Sequence, residues 1–296
     1  MLKPRAWVIV GLLGLLTLLL SGCNSAPAVN AQAESVTTAK TIQNTGSDTL
    51  VNLALAWAER YMPAHPGVRI AVTGGGSGTG IAALINGTID IANASRGMKQ
   101  EEIDAAKKNG VTPVEFTVAR DAIAIVVNPA NPVNGLTLQQ LSDIYQGKIT
   151  NWRQVGGEAR PIVLLSRESN SGTYVYFLEN VLRLGKKSDL LFSPDTLLMP
   201  SSEGISVEVR QNPNAIGYDG LGYVTADQKV VAVARDASSP YVKPSVATVN
   251  DGSYPISRPL FMYTAGQPMG QVKDYLDWIV HDGQELVVEL GFVPLK

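Results

Sequence analysis

The sequence predicts an α/β protein with parallel strands. Two observations predict it. From Thr41 to Asn109 the chain passes three times through strand, polar Gly/Ser turn and helix, the rhythm of helices packed on a parallel sheet. A long apolar strand at 121–129 then leaves this first set. In such sheets ligands sit outside the carboxyl ends of the strands. The turns at 45–49, 73–80 and 95–97 therefore fall at one ligand-facing edge. At 296 residues the chain is long enough for two ordinary domains or one large one.

The N-terminus reads as a targeting segment. Residues 1–5 are short and basic, Ala6 to Leu20 form a continuous apolar core of about 15 residues, and Leu20-Ser21-Gly22-Cys23 closes it. This ending resembles the lipobox of bacterial lipoprotein signal peptides. The resemblance implies that residues 1–22 are removed and that Cys23, the sole cysteine, carries lipid. A retained membrane anchor is the weaker reading, because a bilayer span needs roughly 20 apolar residues. Residues 23–40 are small and polar and read as a flexible tether. The folded part is then expected outside the cytoplasm, lipid-anchored to the cell membrane and facing the periplasm or the extracellular side.

The elements beyond the tether follow in order. Thr41–Asn44 reads as a strand, and Leu50–Met62 as an amphipathic helix stopped by Pro63. Val68–Val72 and Asp90–Ala94 read as strands, with helices at Ile81–Asn86 and Lys99–Asn109. After the strand at 121–129 come a helix from Leu136 to Tyr145 with Thr137 as its N-cap, a strand at 161–165, and a helix from Tyr174 to Leu182. A helix at 202–211 precedes a turn into strand at 214–218. Residues 223–226 and 230–233 read as strands, 236–258 as loop, 260–263 as strand, and 272–280 and 284–290 as helices.

Composition excludes several classes. The net charge is −2, and without Lys3 and Arg5 the 24 basic residues become 22 against 26 acidic, a net of −4. No basic run or aromatic-basic interleaving points to nucleic acid. One cysteine and two histidines, His65 and His281, allow no internal disulfide and no Cys/His metal cluster. Neither histidine lies in a motif that suggests a Ser-His-Asp triad. An anion would be held by local dipoles and hydrogen bonds, not by a global field.

One stretch offers such dipoles. Ser166-Arg167-Glu168-Ser169-Asn170-Ser171-Gly172-Thr173 joins a strand to a helix. A helix N-terminus presents about four unpaired N–H groups and roughly half a positive charge. Ser171 and Thr173 add hydroxyls, Gly172 permits close approach, and Arg167 adds a rigid fork of donors suited to oxyanions. Alone, the same turn reads as an ordinary N-cap with a solvent-facing arginine. The Gly-rich run Thr73 to Gly80 is a second such helix start. It has no lysine for a P-loop, and it misses the G-x-G-x-x-G and G-x-S-x-G spacings.

In chain order these turns make a pattern. The lipobox, Gly46-Ser47-Asp48-Thr49, Gly76-Ser77-Gly78-Thr79-Gly80, Ala94-Ser95-Arg96, Tyr145-Gln146-Gly147-Lys148-Ile149-Thr150-Asn151-Trp152, Arg167 to Thr173, and Ala215-Ile216-Gly217-Tyr218 succeed one another. Over nearly all of the mature chain the sequence resembles the substrate-binding lipoprotein of the bacterial phosphate ABC transporter. The resemblance implies a two-lobed type II periplasmic-binding-protein fold with two crossing strands and the ligand in the cleft. Lobe 1 is then expected from 41–126 plus 259–296, and lobe 2 from 127–258.

Carried over residue by residue, the family's arginine and Ser-Gly-Thr ligands fall on Arg167, Ser171, Gly172 and Thr173. Its Gly-rich-loop serine falls on Ser77. Its first-turn hydroxyl and the following backbone N–H fall on Asp48 and Thr49, with Ser47 adjacent. Some members carry an aspartate after Ala-Ser that accepts the phosphate proton, and here that position is Arg96. An ionised carboxylate accepts from protonated phosphate and repels a fully deprotonated oxyanion such as sulfate. Asp48 is therefore expected to supply the acceptor, with Arg96 pairing with it or reaching the ligand. Asp48 reads equally as the N-cap of the helix that follows.

The function implied is capture of inorganic phosphate with high affinity outside the membrane and delivery to the permease of an ABC-type importer. The protein is expected to be a monomeric binding protein, not an enzyme, without cofactor or metal. The alternatives are another oxyanion such as sulfate or molybdate, a phosphate sensor, and a phosphatase-like hydrolase. The last would need a metal cluster or an activated nucleophile.

Overall fold

A computed structural model describes residues 40–295. Residues 1–39, on which the expected signal sequence, the lipidated Cys23 and most of the expected tether fall, lie outside the described residues. Among those described, no helix is long and apolar enough to cross a membrane.

The first layer is built as the strand-turn-helix rhythm requires. β1 (Thr41–Gly46) passes through a 3-10 turn, Asp48–Leu50, into α1 (Val51–Ala64). Leu53, Ala54, Trp57, Ala58 and Tyr61 are buried along one face of α1, the stripe a surface helix turns to its core. Pro63 lies inside this helix but close to its end. The helix runs only one residue past it, to Ala64, since the proline offers no N–H to the carbonyl four residues back. β2 (Arg69–Thr73) then leads to α2 (Ser77–Ile85), β3 (Ile91–Ala94) to α3 (Gln100–Lys108).

The helix α2 starts at Ser77, four residues before the expected Ile81. Glycine weakens a helix but does not forbid one, and here close packing needs it. A Cβ on Gly80 would lie 2.6 Å from the Gly46 Cα. Gly80 thus lets the start of α2 sit directly against the end of β1.

The second layer begins with β4 (Val114–Val127), a strand that starts well before the expected Asp121. β5 (Gly135–Thr137) feeds α4 (Leu138–Tyr145), and Thr137 caps it by accepting from the Gln140 N–H at 3.1 Å. β6 (Val163–Arg167) leads into α5 (Gly172–Phe177), which continues as a π-helical turn over Leu178–Leu182. β7 (Leu197–Met199), α6 (Ser202–Gln211), β8 (Ala215–Gly220) and β9 (Lys229–Ala234) follow. Residues 223–226 form no strand, because the chain makes a 3-10 turn at Leu221–Tyr223 that packs Gly222 against Phe292. The expected loop at 236–258 holds a short helix, α7 (Val246–Asn250), capped by Ser245. β10 (Ser257–Thr264), α8 (Gly270–Val280) and α9 (Gln284–Glu289) complete the chain.

The strands form one path, β2-β1-β3-β10-β4-β8-β6-β7, with β9 paired to β4 and to β5. β1 runs parallel to β2 and β3, and β6 parallel to β7 and β8. β10 is antiparallel to both β3 and β4. The early part of β4 pairs with β10, whereas Ile123 to Val127 pair with β8. One strand therefore belongs to both halves of the molecule.

The apolar cores divide along this strand. Val118 and Ala119 pack with Ile42, Leu50, Trp57, Leu260 and Leu276. Ile123, Ile125 and Val127 pack with Leu141, Trp152, Phe177 and Tyr218. Opposite faces are closed by Ile81, Leu84 and Phe261 in the first half and by Leu165, Ile205 and Val209 in the second. Each half is a sheet covered on both faces, which is why the second part of β4 reads as an unbroken apolar run. The result is an α/β fold of two lobes whose strand ends meet at a cleft.

Candidate functional site

Three segments of the first lobe reach the cleft. The turn after β1 brings Ser47, Asp48 and Thr49. The start of α2 brings Ser77, and the end of β3 brings Ser95. Their hydroxyls are linked: Ser47 Oγ donates to Ser95 Oγ at 2.9 Å, Ser95 and Ser77 Oγ are 3.3 Å apart, and the Ser95 N–H donates to Ser77 Oγ at 3.0 Å. All three serines are buried. Buried hydroxyls need partners, and this group shares them.

The second lobe supplies the end of β6 and the start of α5. Arg167 is only 1% exposed, which excludes a solvent-facing side chain. Its Nη1 donates to Ser202 Oγ at 2.9 Å and its Nη2 to the Pro200 carbonyl at 3.0 Å. Ser171 is the N-cap of α5, accepting from the Thr173 N–H at 3.2 Å and the Tyr174 N–H at 3.5 Å. The cap reading of this turn is correct for Ser171, and its O–H remains able to donate elsewhere.

The two walls touch. Thr49 Oγ1 and Thr173 Oγ1 are 2.8 Å apart across the cleft. The Gly78 N–H donates to the Asn170 carbonyl at 2.9 Å, and Asn170 Nδ2 donates to the Gly75 carbonyl at 2.9 Å. Gly172 is the tightest point. A Cβ there would fall 2.6 Å from Ser95 Oγ and closer still to Ser77 Oγ. Only glycine allows this approach.

Asp48 bridges the lobes as well. Its Oδ2 lies 3.1 Å from Arg167 Nη2 and accepts from the Ser202 N–H at 2.8 Å. It therefore occupies the start of α6 and the guanidinium of Arg167 together, and both favour a negative charge. It is not the N-cap expected of it: Ser47 holds that place on the 3-10 turn and Leu50 on α1. Tyr223 Oη donates to its backbone carbonyl at 2.8 Å, from the side of β8.

Arg96 meets a different carboxylate from Asp48. Its guanidinium makes a two-pronged pair with Glu102, at 2.8 and 2.7 Å, and does not pair with Asp48. Glu102 is in the first turn of α3, six residues on, so a short loop holds the two together. Burial works to raise the Glu102 carboxyl, but the Arg96 guanidinium and the Lys99 N–H outweigh it and hold it below its ordinary value. Arg96 packs beside Gly78, its Nη2 near the position a Cβ would take there.

A second guanidinium was not anticipated from the sequence. Arg258, on β10 and 3% exposed, holds Asp121 of β4 at 3.0 Å. It also donates to the Ser95 carbonyl at 2.8 Å and to Thr173 Oγ1 at 2.9 Å. Arg258 thus ties both walls to the crossing strands. Breaking such a buried pair from one side costs about 3–5 kcal/mol. Asp121 carried a readable signal, a carboxylate opening an apolar run. Arg258 sits in Ser-Arg-Pro and carried none.

The cleft accordingly gathers hydroxyls, helix-start N–H groups and two buried guanidiniums, the chemistry of an oxyanion site. Both histidines lie away from it. His65 stacks on Tyr61 at 3.7 Å, and His281 Nδ1 is 2.7 Å from the Asp277 carbonyl. Among the described residues no cluster of His, Cys, Asp and Glu is placed to hold a metal ion.

A family described as a PBP superfamily domain matches residues 31–282. The phosphate-binding protein PstS of Pseudomonas aeruginosa is 36% identical over 272 residues, covering 86% of this chain and 83% of that protein. The protein SphX of Synechococcus elongatus is 35% identical over 263 residues, with 84% and 76% covered. A Clostridium perfringens protein assigned as a phosphate ABC transporter substrate-binding protein was crystallised with bound phosphate. It superposes with a TM-score of 0.77 at 33% identity, covering 87% of this chain and all of that one. An ABC-type phosphate transport receptor of Vibrio cholerae superposes with a TM-score of 0.68 at 32% identity, with 86% and 100% covered.

Proposed function

The chain belongs to the PBP superfamily and, within it, to the PstS phosphate-binding proteins, and on that premise we propose how it works. It binds inorganic phosphate between its lobes and serves an ABC-type phosphate importer. The observation that carries this is the buried Arg167, which meets Asp48 across the cleft beside the start of α6. Ser47, Asp48, Thr49 and Ser77 form one wall of the site, and Arg167, Ser171, Gly172 and Thr173 the other. A carboxylate held by Arg167 also leaves Asp48 Oδ1 to accept the ligand's own proton, which suits phosphate and repels sulfate. Arg96 is committed to Glu102 and supports the first wall rather than the ligand.

The lobes, taken as 41–126 with 259–296 and as 127–258, close on the ligand and exclude water, which strengthens each donor contact. The protein is a binding protein and not an enzyme; neither histidine approaches the cleft. It acts as a monomer, held to the membrane by lipid on Cys23 and facing the periplasm or extracellular side, and it hands phosphate to a membrane permease.

Calorimetry of the mature protein against phosphate, sulfate and molybdate tests this. Saturable heat with phosphate and none with the other two is the expected result. Preference for sulfate or molybdate, or release of phosphate from a chromogenic ester, would overturn it.

A further inference from the structure

Around the cleft stand two buried guanidiniums and three carboxylates. Arg167 holds Asp48, and Arg258 holds Asp121. Asp219, on β8 and 1% exposed, makes no ion pair among the described residues. Its Oδ1 accepts the N–H of Gly220 at 2.9 Å, and its Oδ2 has no hydrogen-bond partner. A buried oxygen left bare in this way is costly while it is charged.

The surroundings place this carboxylate behind the ligand arginine. From α6, the Ser202 hydroxyl lies beside Asp219 and accepts from Arg167 Nη1 at 2.9 Å. Glu203, the next residue, points outward to Arg210. From β6 comes Arg167, and from β4 comes Asp121, backed by Arg258 of β10. Tyr223 shares the surroundings of Asp48, Asp219 and Arg167. Burial raises both Asp121 and Asp219, but Asp121 has Arg258 and the Leu221 N–H on its oxygens. For Asp219, burial takes the carboxyl up to about 7, with Ser202 and Arg167 drawing it down and Asp121 adding to the rise.

We propose that Asp219 takes up one proton when phosphate seats on Arg167, so that capture is coupled to protons and Asp219 acts as a positioning residue through Ser202 and Arg167. The proposal rests on the phosphate-binding reading above. A bound anion adds negative charge close to Asp219 and draws on the same guanidinium field. Both effects favour the neutral carboxyl. The proton comes from solvent and settles on the bare Oδ2, removing the surplus charge of the cleft. Linkage makes the effect reciprocal: a protonated Asp219 binds phosphate more tightly. Affinity therefore rises as pH falls through the neutral range.

The test is calorimetry of phosphate binding to the mature protein near neutral pH, in buffers with different ionisation heats. The dependence on buffer heat counts the protons taken up. The Asp219→Asn variant reports the contribution of phosphate itself and of all other groups. Wild type is expected to take up as much as about half a proton more than the variant at pH 7, and a larger part above it. Equal proton numbers in two proteins that both bind phosphate would overturn the proposal and leave the phosphate reading intact. A wild type that does not bind phosphate overturns both. If Asp219→Asn does not fold, isotope-edited infrared spectra of wild type carry the test. Phosphate should then raise the band of a protonated aspartic acid, and no change in it overturns the proposal.

Discussion

Asp48 Oδ2 stands 3.1 Å from Arg167 Nη2, a carboxylate from the first lobe resting on a guanidinium of the second. The pair is a contact between lobes, and under the proposed phosphate binding it orients Asp48 toward the ligand's proton. Asp48→Asn should weaken phosphate binding by about 1–3 kcal/mol and narrow the preference over sulfate. Titration with both anions checks this. Unchanged affinity and unchanged sulfate rejection would remove Asp48 from the site.

Arg167→Ala removes the donor fork and leaves Asp48 without its cation. A loss of about 3–5 kcal/mol in phosphate binding is expected, with the far-ultraviolet dichroism of the fold retained. Arg167→Lys should fall between, since it keeps the charge but not the planar fork. A dissociation constant near that of wild type in Arg167→Ala would place the ligand away from this arginine.

Gly172→Ala tests the contact between walls. The added Cβ would meet Ser77 and Ser95, and overpacking of this kind costs about 1–3 kcal/mol. Because only the closed arrangement brings these groups together, closure should suffer and the lobes should not. Small-angle scattering should show a wider particle that phosphate fails to compact, at an unchanged midpoint of thermal unfolding.

Arg96→Ala separates support from binding. It breaks the pair with Glu102, both partners being mostly buried, and a loss of about 1–3 kcal/mol in stability is expected. Phosphate affinity should change by no more than about threefold, roughly 0.65 kcal/mol. A large loss of affinity at unchanged stability would return Arg96 to the ligand.

Asp219 gives the fold a pH dependence of defined sign. Its carboxyl titrates near 4 when unfolded and at about 7 when folded. Between these values the folded state holds the extra proton, so stability falls as pH rises through the window, by about 1.4 kcal/mol per pH unit. Asp219→Asn cannot lose that proton. In urea unfolding the variant should exceed wild type by about 1.4 kcal/mol at pH 5 and by a larger margin at pH 8. Equal stability at both would show that Asp219 is charged throughout.

Much of this was legible in the sequence, and the failures share a cause. The strand-turn-helix rhythm matches β1 to α3, and the stretch at 166–173 falls on the passage from β6 to α5. Local signals sufficed there, because the helix start and the hydroxyls belong to one segment. Arg258 and Ser202 were not legible, because their roles depend on segments far apart in the chain. Arg258 meets Asp121, 137 positions away, and Ser202 meets Asp48, 154 positions away. The partner of Arg96 was missed for the opposite reason. Glu102 was close in sequence, but the turn that brings it back is not a repeating pattern. The start of α2 was placed late because a glycine-rich run argues against helix, and the packing against Gly46 that compensates is again long-range.

The shared strand β4 has a consequence for ancestry and for engineering. The first sheet takes β1, β2 and β3 from the start of the chain and β10 from near its end. No single cut in a gene yields that sheet intact, and no simple crossover between relatives exchanges it whole. Exchange of the intervening segment, by contrast, needs two junctions, both falling on β4 and β10 where the strands are paired. Chimaeras of such proteins should therefore succeed or fail on the match of that two-strand ribbon, whatever the similarity of the segments it joins.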